Sequence, residues 1–331
     1  MNRYQSYRGR VPLKRKVAVV TMLVILLLCG TYLGMSKYAE FESGGEMTLR
    51  LPWQKEEEGA VNQDDPNISL VIKEPLDLLD EMHAVEIPAE TLRLRRDEGE
   101  WWTAEGFNAV SVRLKEKDGL LWYAFDSAPA ELIHPNALSR TELEVLLKAD
   151  VYSVARISCF SDSAAAKMDM TGKGLCQKNG YVWYDNTNSH WLDPGKDAAQ
   201  EYLVNLCKEL VELGFDEVVL ENACYPTLGK LNKSEPVAAD RAEQVEKFLR
   251  AARKVFGGDH VRLSLVMEES LLLAGSDEIA GWQLQNNLKD VLRVYVRTAD
   301  PAAAEAALRS LSETTKLVML DGTEGARCEV R

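Results

Sequence analysis

Residues 151–160 read VYSVARISCF, residues 199–213 read AQEYLVNLCKELVEL, and residues 214–222 read GFDEVVLEN. The first is an apolar run of strand length, rich in β-branched residues. In the second, Ala199, Tyr202, Leu203, Leu206, Leu210 and Leu213 recur on one helical face. Pro194 stands near its start and Gly214 closes it, as helix punctuation requires. The third returns to a strand at Val218-Val219-Leu220. Strand, helix, strand is the signature of two parallel strands joined by a crossover helix.

Outward from this unit the alternation continues. Strands are expected at 84–87, 108–114, 261–267, 291–296 and 317–320, with helices from Ala89 and over 141–148, 241–255 and 302–311. Thr141 and Glu144 suit a capping box for the second of these helices. The strands are Val, Ile and Leu rich, as when helices cover one sheet face and a core fills the other. Roughly 250 residues in such units predict an α/β fold of the (β/α)8 TIM-barrel type. An eighth strand is either an irregular one at 282–285 or absent, which would leave the barrel incomplete or degenerate. No GxGxxG motif comes after the first strand, which weakens a nucleotide-binding reading.

The chain has 331 residues, 46% hydrophobic, with a net charge of −13. Residues 1–36 carry six basic side chains and no acidic one, so this segment is +6 and the rest carries −19. Acidity on that scale argues against a nucleic-acid partner, because phosphate repels carboxylates. Residues 17–36 are apolar and uncharged, about long enough for the ~30 Å hydrocarbon core. The basic residues before them predict a cytoplasmic tail over 1–16, an uncleaved signal anchor over 17–36, and export of the chain from Lys37 onward. A cleaved signal peptide is disfavoured, since Tyr38-Ala39-Glu40 is a poor Ala-x-Ala site. Residues 37–67 hold Gly44-Gly45, Glu56-Glu57-Glu58 and Asp64-Asp65-Pro66 and read as an acidic flexible linker. The barrel is expected over 68–331.

In a TIM-type barrel, chemistry gathers at the C-terminal strand ends. Glu221 comes directly after Val218-Val219-Leu220 and is aimed at that mouth. It is a candidate nucleophile or base for glycoside cleavage, which needs two carboxyl groups flanking the scissile bond. Simple pairing with an arginine would place the same residue there. Glu268 or Glu269, after the fifth strand, would be the second carboxyl; Glu86, Glu116, Asp118, Asp162 and Asp321 also stand near strand ends. Tyr181, Trp183, Tyr184 and Trp191 form an aromatic cluster with Asp185 and Asp193 beside it. Such rings either pack a loop or stack on sugars, whose hydroxyls then need the carboxylates. His83, His134, His190 and His260 are scattered and no HExxH or paired CxxC occurs, so no metal or other cofactor is expected.

Several motifs in order resemble a bacterial glycoside-hydrolase-type family of uncharacterised domains, related to the alpha-amylase-like TIM barrels. They are Asn108-Ala109-Val110-Ser111-Val112 with Lys115 and Asp118-Gly119; Val151 to Ile157 with Phe160 and Asp162; Trp183 and Trp191-Leu192-Asp193-Pro194; and Gly214 to Val218 running to Glu221 and Pro226. The resemblance implies a (β/α)8 barrel acting on carbohydrate, with Glu221 as nucleophile and Arg156, Asp118 and Tyr225 joining Trp183, Asp185, Trp191 and Asp193 as substrate-binding residues. The family pattern at Glu221 usually starts with Asp and carries an Arg where this chain has Cys224. Its Ser-Ala-Asp after the fifth strand aligns with Ser264-Leu265-Val266. Two functions fit these features: a membrane-anchored glycoside hydrolase acting on a polysaccharide or cell-envelope glycan, or a catalytically inactive barrel that binds glycan or an envelope protein.

Overall fold

The computed structural model describes residues 79, 82–95, 101–102, 106–234, 240–256 and 261–320, and the backbone alone of 39–41, 47–49, 103–104 and 327–330. Met1–Leu70 and Val71–Arg331 are separate compact units. In the first, Ala39–Phe41 pairs antiparallel with Met47–Leu49, inside the stretch read as linker. The expected anchor at 17–36 lies outside the described residues. No helix among the described residues is long and apolar enough to cross a membrane.

The second unit is built on β1 (His83–Pro88), β2 (Ala109–Lys115), β3 (Tyr152–Ser158), β4 (Glu217–Glu221), β5 (Arg262–Glu268), β6 (Arg293–Arg297) and β7 (Lys316–Leu320). Each is parallel to the next. These seven do not close on one another as in a regular (β/α)8 barrel. Between β7 and β1 runs β8 (Arg327–Val330), antiparallel to both. Trp282–Gln283 is not the eighth strand; it forms a separate hairpin with Ser276–Asp277. An antiparallel partner needs no crossover helix, which is how so short a chain fills the gap. Two further strands, Leu121–Tyr123 and Ile133–Leu138, extend the sheet from the end of β2.

Period-2 alternation sorts the strand side chains into two cores. Met82, Ala84, Ala109, Tyr152, Val154, Val219, Tyr295 and Val318 pack inside the strand ring. Val85, Ile87, Val110, Val112, Ala155, Ile157, Val218 and Leu220 face outward, under α1 (Ala89–Leu94), α2 (Arg140–Leu147), α3 (Asp197–Leu213), α4 (Arg241–Val255), α5 (Glu269–Ala274) and α6 (Pro301–Leu311). The long helix ends where expected, at Gly214 with φ 86°. The capping box at α2 sits two residues earlier than the sequence suggests. Ser139 and Glu142 form it, because the strand before it ends at Leu138; Glu144 instead pairs with Lys148.

The floor of the ring is polar and closed. Glu217 accepts from Tyr152 at 3.0 Å and Tyr295 at 2.9 Å and pairs with Arg293, all without solvent contact. Arg293 also donates to the Leu79 carbonyl at 2.9 Å. Near the opposite end, Lys115 and Asp162 form an equally buried pair at 2.9 Å, and Asp162 caps the helix Ser163–Met168. Gly119 (φ +87°) lies so close that a Cβ would stand 2.0 Å from Asp162 Oδ1. Gly119→Ala is therefore expected to cost on the order of 2–3 kcal/mol, from the left-handed φ and the clash together, measured by chemical denaturation.

Candidate active site

Glu221 is the last residue of β4, and its side chain is 12% exposed. Period 2 places it on the inner face, above Val219 and Glu217. It does not stand alone. Arg156 on β3 donates to its Oε1 through Nε at 2.8 Å and Nη2 at 2.7 Å, and Arg113 on β2 reaches the same oxygen at 3.3 Å. Both guanidiniums also hold Glu86 on β1: Arg113 Nη2 lies 3.0 Å from its Oε1, and Arg156 Nη1 bonds its Oε2. Two guanidiniums, on β2 and β3, thus stand between two carboxylates, on β1 and β4, across four adjacent strand ends.

The two carboxylates are not equivalent. Glu86 uses both oxygens on arginine. Among the described residues every side-chain hydrogen bond and ion pair of Glu221 falls on Oε1, which leaves Oε2 without such a partner. A carboxylate clamped by one oxygen and open at the other can attack or take a proton. Cys224 stands where the family pattern carries an arginine; the guanidinium closest to Glu221 in this chain comes from the neighbouring strand, Arg156, whose side chain is only 4% exposed. Cys224 packs at the edge of the core, where burial raises its thiol pKa. Asn222, directly after Glu221, adopts φ +52° and donates to Ser158 Oγ at 3.0 Å. Left-handed non-glycine residues cost energy and gather at functional sites.

Glu116 lies just beyond β2. Desolvation raises its carboxyl pKa; Arg113 opposes this, while Asp118, Glu221 and Glu86 add to it. Glu268 is the last residue of β5 and is exposed. Its neighbour Met267 belongs to the outer core, so Glu268 is on the inner face. Leu220 is level with Leu265; strands about 4.8 Å apart with about 3.3 Å per residue then put its Cα roughly 8 Å from that of Glu221. Glu269 leaves the sheet to start α5 and accepts from Thr298 Oγ1 at 2.5 Å.

The other expected substrate-binding residues are differently placed. Trp183 is buried, with its indole N–H on the Lys230 carbonyl at 3.1 Å; Trp191 is buried with its N–H on Asp185 at 3.0 Å. Both anchor the loop after β3, because an indole N–H taken from water needs an acceptor. Asp185 also accepts from Thr187 and Ser189. Asp193 accepts from the Gly195 N–H at 2.8 Å and Asp118 from Leu120 at 2.9 Å, so both shape turns. Tyr225 is buried against the loop after α5, with Arg241 over its ring. Glu86 and Arg113 are the partners that a reading confined to the neighbourhood of Glu221 leaves out; the signal for both is a charged residue on the inner register of an otherwise apolar strand.

This is a mostly parallel α/β barrel with two carboxylates and two guanidiniums paired at its strand ends. The chain belongs to the family described as "Putative glycosyl hydrolase domain", whose profile matches residues 89–267. No match is found among curated proteins. Among solved structures it is similar to a hypothetical protein from Ruminiclostridium thermocellum, at 24% identity over 55% of this chain and 96% of that one, TM-score 0.46. It is also similar to the PgaB (BpsB) glycoside hydrolase domain from Bordetella bronchiseptica, at 12% identity over 71% and 82%, TM-score 0.47. A third is the glycoside hydrolase domain of PelA from Pseudomonas aeruginosa, at 14% identity over 72% and 82%, TM-score 0.39.

Proposed function

We propose that this protein is a glycoside hydrolase, held outside the cytoplasm by residues 17–36, that acts on a polysaccharide or cell-envelope glycan with Glu221 as nucleophile or base. The observation that carries this reading is the asymmetric grip on Glu221: Oε1 is bound by Arg156 and Arg113, while Oε2 has no hydrogen-bond or ion-pair partner among the described residues. The two guanidiniums fix Glu221 in position through Oε1. The second carboxyl that the reaction needs has two candidates on the rim. Glu268 fits better than Glu269, which is already hydrogen-bonded to Thr298. Glu116 is the other: desolvation raises its carboxyl pKa, the direction a general acid requires.

The acid can be identified by pH. A group with a raised pKa keeps its proton to higher pH, so activity that depends on Glu116 falls as pH rises through that value. Glu116→Gln should then cut kcat by about 10²-fold or more and remove the basic limb of the kcat/KM profile. If the limb survives in Glu116→Gln and disappears in Glu268→Gln, Glu268 is the acid. The folded state also binds the Glu116 proton more tightly than the unfolded chain, so this group contributes stability at low pH that is lost as pH rises.

One observation favours a second reading, a barrel that binds glycan without cleaving it. The Glu86–Arg113–Arg156–Glu221 group is formally charge-neutral and each member is ion-paired within it, so it can serve as a purely structural device. A screen of glycan binding and hydrolysis with wild type and Glu221→Gln separates the two: binding by both proteins with turnover by neither selects the binder. Anchoring is tested separately by membrane fractionation and protease accessibility of the full chain; a barrel that stays with the soluble fraction overturns that part.

A further inference from the structure

The loops after β3 and β4 build a second surface on the mouth end of the barrel. Residues 175–192 fold back on themselves through bridges between Cys176 and Val182 and between Tyr184 and His190. Buried Trp183 and Trp191 pin this loop through their indole N–H groups. What it leaves outside are two tyrosines, Tyr181 at 69% and Tyr184 at 50% exposure. Tyr184 and Gln177 are common walls of two adjoining clefts. One, of about 440 Å³, continues over Tyr181, Asn179 and Lys167; the other, of about 160 Å³, runs to Lys230 and Lys233.

The charge of this surface opposes that of the chain. Lys167, Lys230 and Lys233 are exposed and take part in no ion pair among the described residues. Among the described residues the one acid in the lining is Asp185. Its Oδ1 accepts from Thr187 and Ser189 and its Oδ2 from Trp191, so it is already occupied. A basic, aromatic double cleft on a chain of net charge −13 selects against most surfaces of the protein itself and for an anion with flat apolar faces. The combined volume falls in the range of small-ligand sites, about 300–1,000 Å³.

We infer that the Tyr181–Tyr184 clefts bind acidic oligosaccharide, sugar rings carrying carboxylates, as a subsite beside the barrel mouth. Tyrosine faces take the C–H faces of the rings; Gln177 Oε1 and Asn179 Nδ2 take hydroxyls, the other atom of each amide being bonded to the Val182 carbonyl and the Tyr181 N–H; and the lysines take the carboxylates. This rests on the glycan reading above and narrows it to acidic chains.

The test uses the full protein carrying Glu221→Gln, so that turnover is removed and binding alone is read by calorimetry. The probes are hexasaccharides of galacturonate, mannuronate and hyaluronan, with cellohexaose as neutral control and inorganic polyphosphate as an anion without rings. At least one acidic hexasaccharide should bind more tightly than both controls. Tyr184→Ala should weaken it at least tenfold, and Lys230→Ser with Lys233→Ser about fivefold at low salt, with a flatter salt dependence. Tyr184→Phe should retain binding. The inference is overturned if no acidic hexasaccharide exceeds cellohexaose, if polyphosphate binds as well, or if Tyr184→Ala binds like its parent. Wild type that binds these sugars through Tyr184 but cleaves no glycan keeps the subsite and sinks the hydrolase reading.

Discussion

Glu221→Gln should lower turnover of any glycan the protein cleaves by about 10³-fold or more, while the chain still folds. The amide is isosteric and its carbonyl oxygen can still accept from Arg156 and Arg113, which meet Oε1 at 2.7–3.3 Å. What it loses is the charge and nucleophilicity of the second oxygen. The group of two carboxylates and two guanidiniums then carries one uncompensated positive charge, which should cost about 1–3 kcal/mol, since a hydrogen bond to a charged group is weakened rather than removed. Thermal unfolding beside the rate measurement separates the two effects: lost turnover in a chain still folded at the assay temperature assigns the loss to chemistry. Glu221→Asp supplies the residue the family pattern usually carries and should retain more activity than Gln. Equal activity in wild type and Glu221→Gln would remove Glu221 from the reaction.

The largest effect on stability is expected at the other end of the barrel. Arg293 and Glu217 are fully buried, and Glu217 also takes the hydroxyls of Tyr152 and Tyr295. Arg293→Met keeps much of the side-chain volume but strands a carboxylate in the floor. Breaking one side of a buried pair costs about 3–5 kcal/mol, which in a domain of this size lowers the unfolding midpoint by roughly 10 °C or more. Adding Glu217→Gln should recover much of that loss, because the penalty belongs to the unpaired charge rather than to the missing bond. The double variant would then be more stable than Arg293→Met alone. If the double variant is no better, packing of the arginine stem is what matters. Neither variant touches the mouth, so residual activity per folded molecule should stay near wild type.

Much of this fold is legible along the chain. Strands β1 to β7 lie within a residue or two of the apolar runs that announce them, because a parallel strand covered on both faces is a near-continuous apolar run. The longer helices show equally clearly, since α3 and α4 each bury one stripe; the six-residue α5 and Ser163–Met168 do not. The eighth strand does not show. Arg327–Val330 pairs antiparallel between β7 and β1, and its Arg-Cys-Glu-Val sequence has no pattern that sets it apart. Its place is set by two sheet edges that were left to cover.

The site divides in the same way. That Glu221 ends the fourth strand is local information, carried by the three apolar residues before it. That Trp183 and Trp191 are packed rather than open is not, because an aromatic residue reads alike in both roles until its acceptor is known. The arginine support is also beyond local reading: Arg156 lies 65 residues from Glu221 and 70 from Glu86. Chain order and periodicity are properties of neighbouring residues, and they suffice for a parallel α/β barrel with a carboxylate at the end of its fourth strand. They do not say which arginines hold that carboxylate, which of its oxygens is left open, or which tyrosines face solvent. Those outcomes are set in three dimensions, by strand register and ring geometry, which bring distant residues within hydrogen-bond reach.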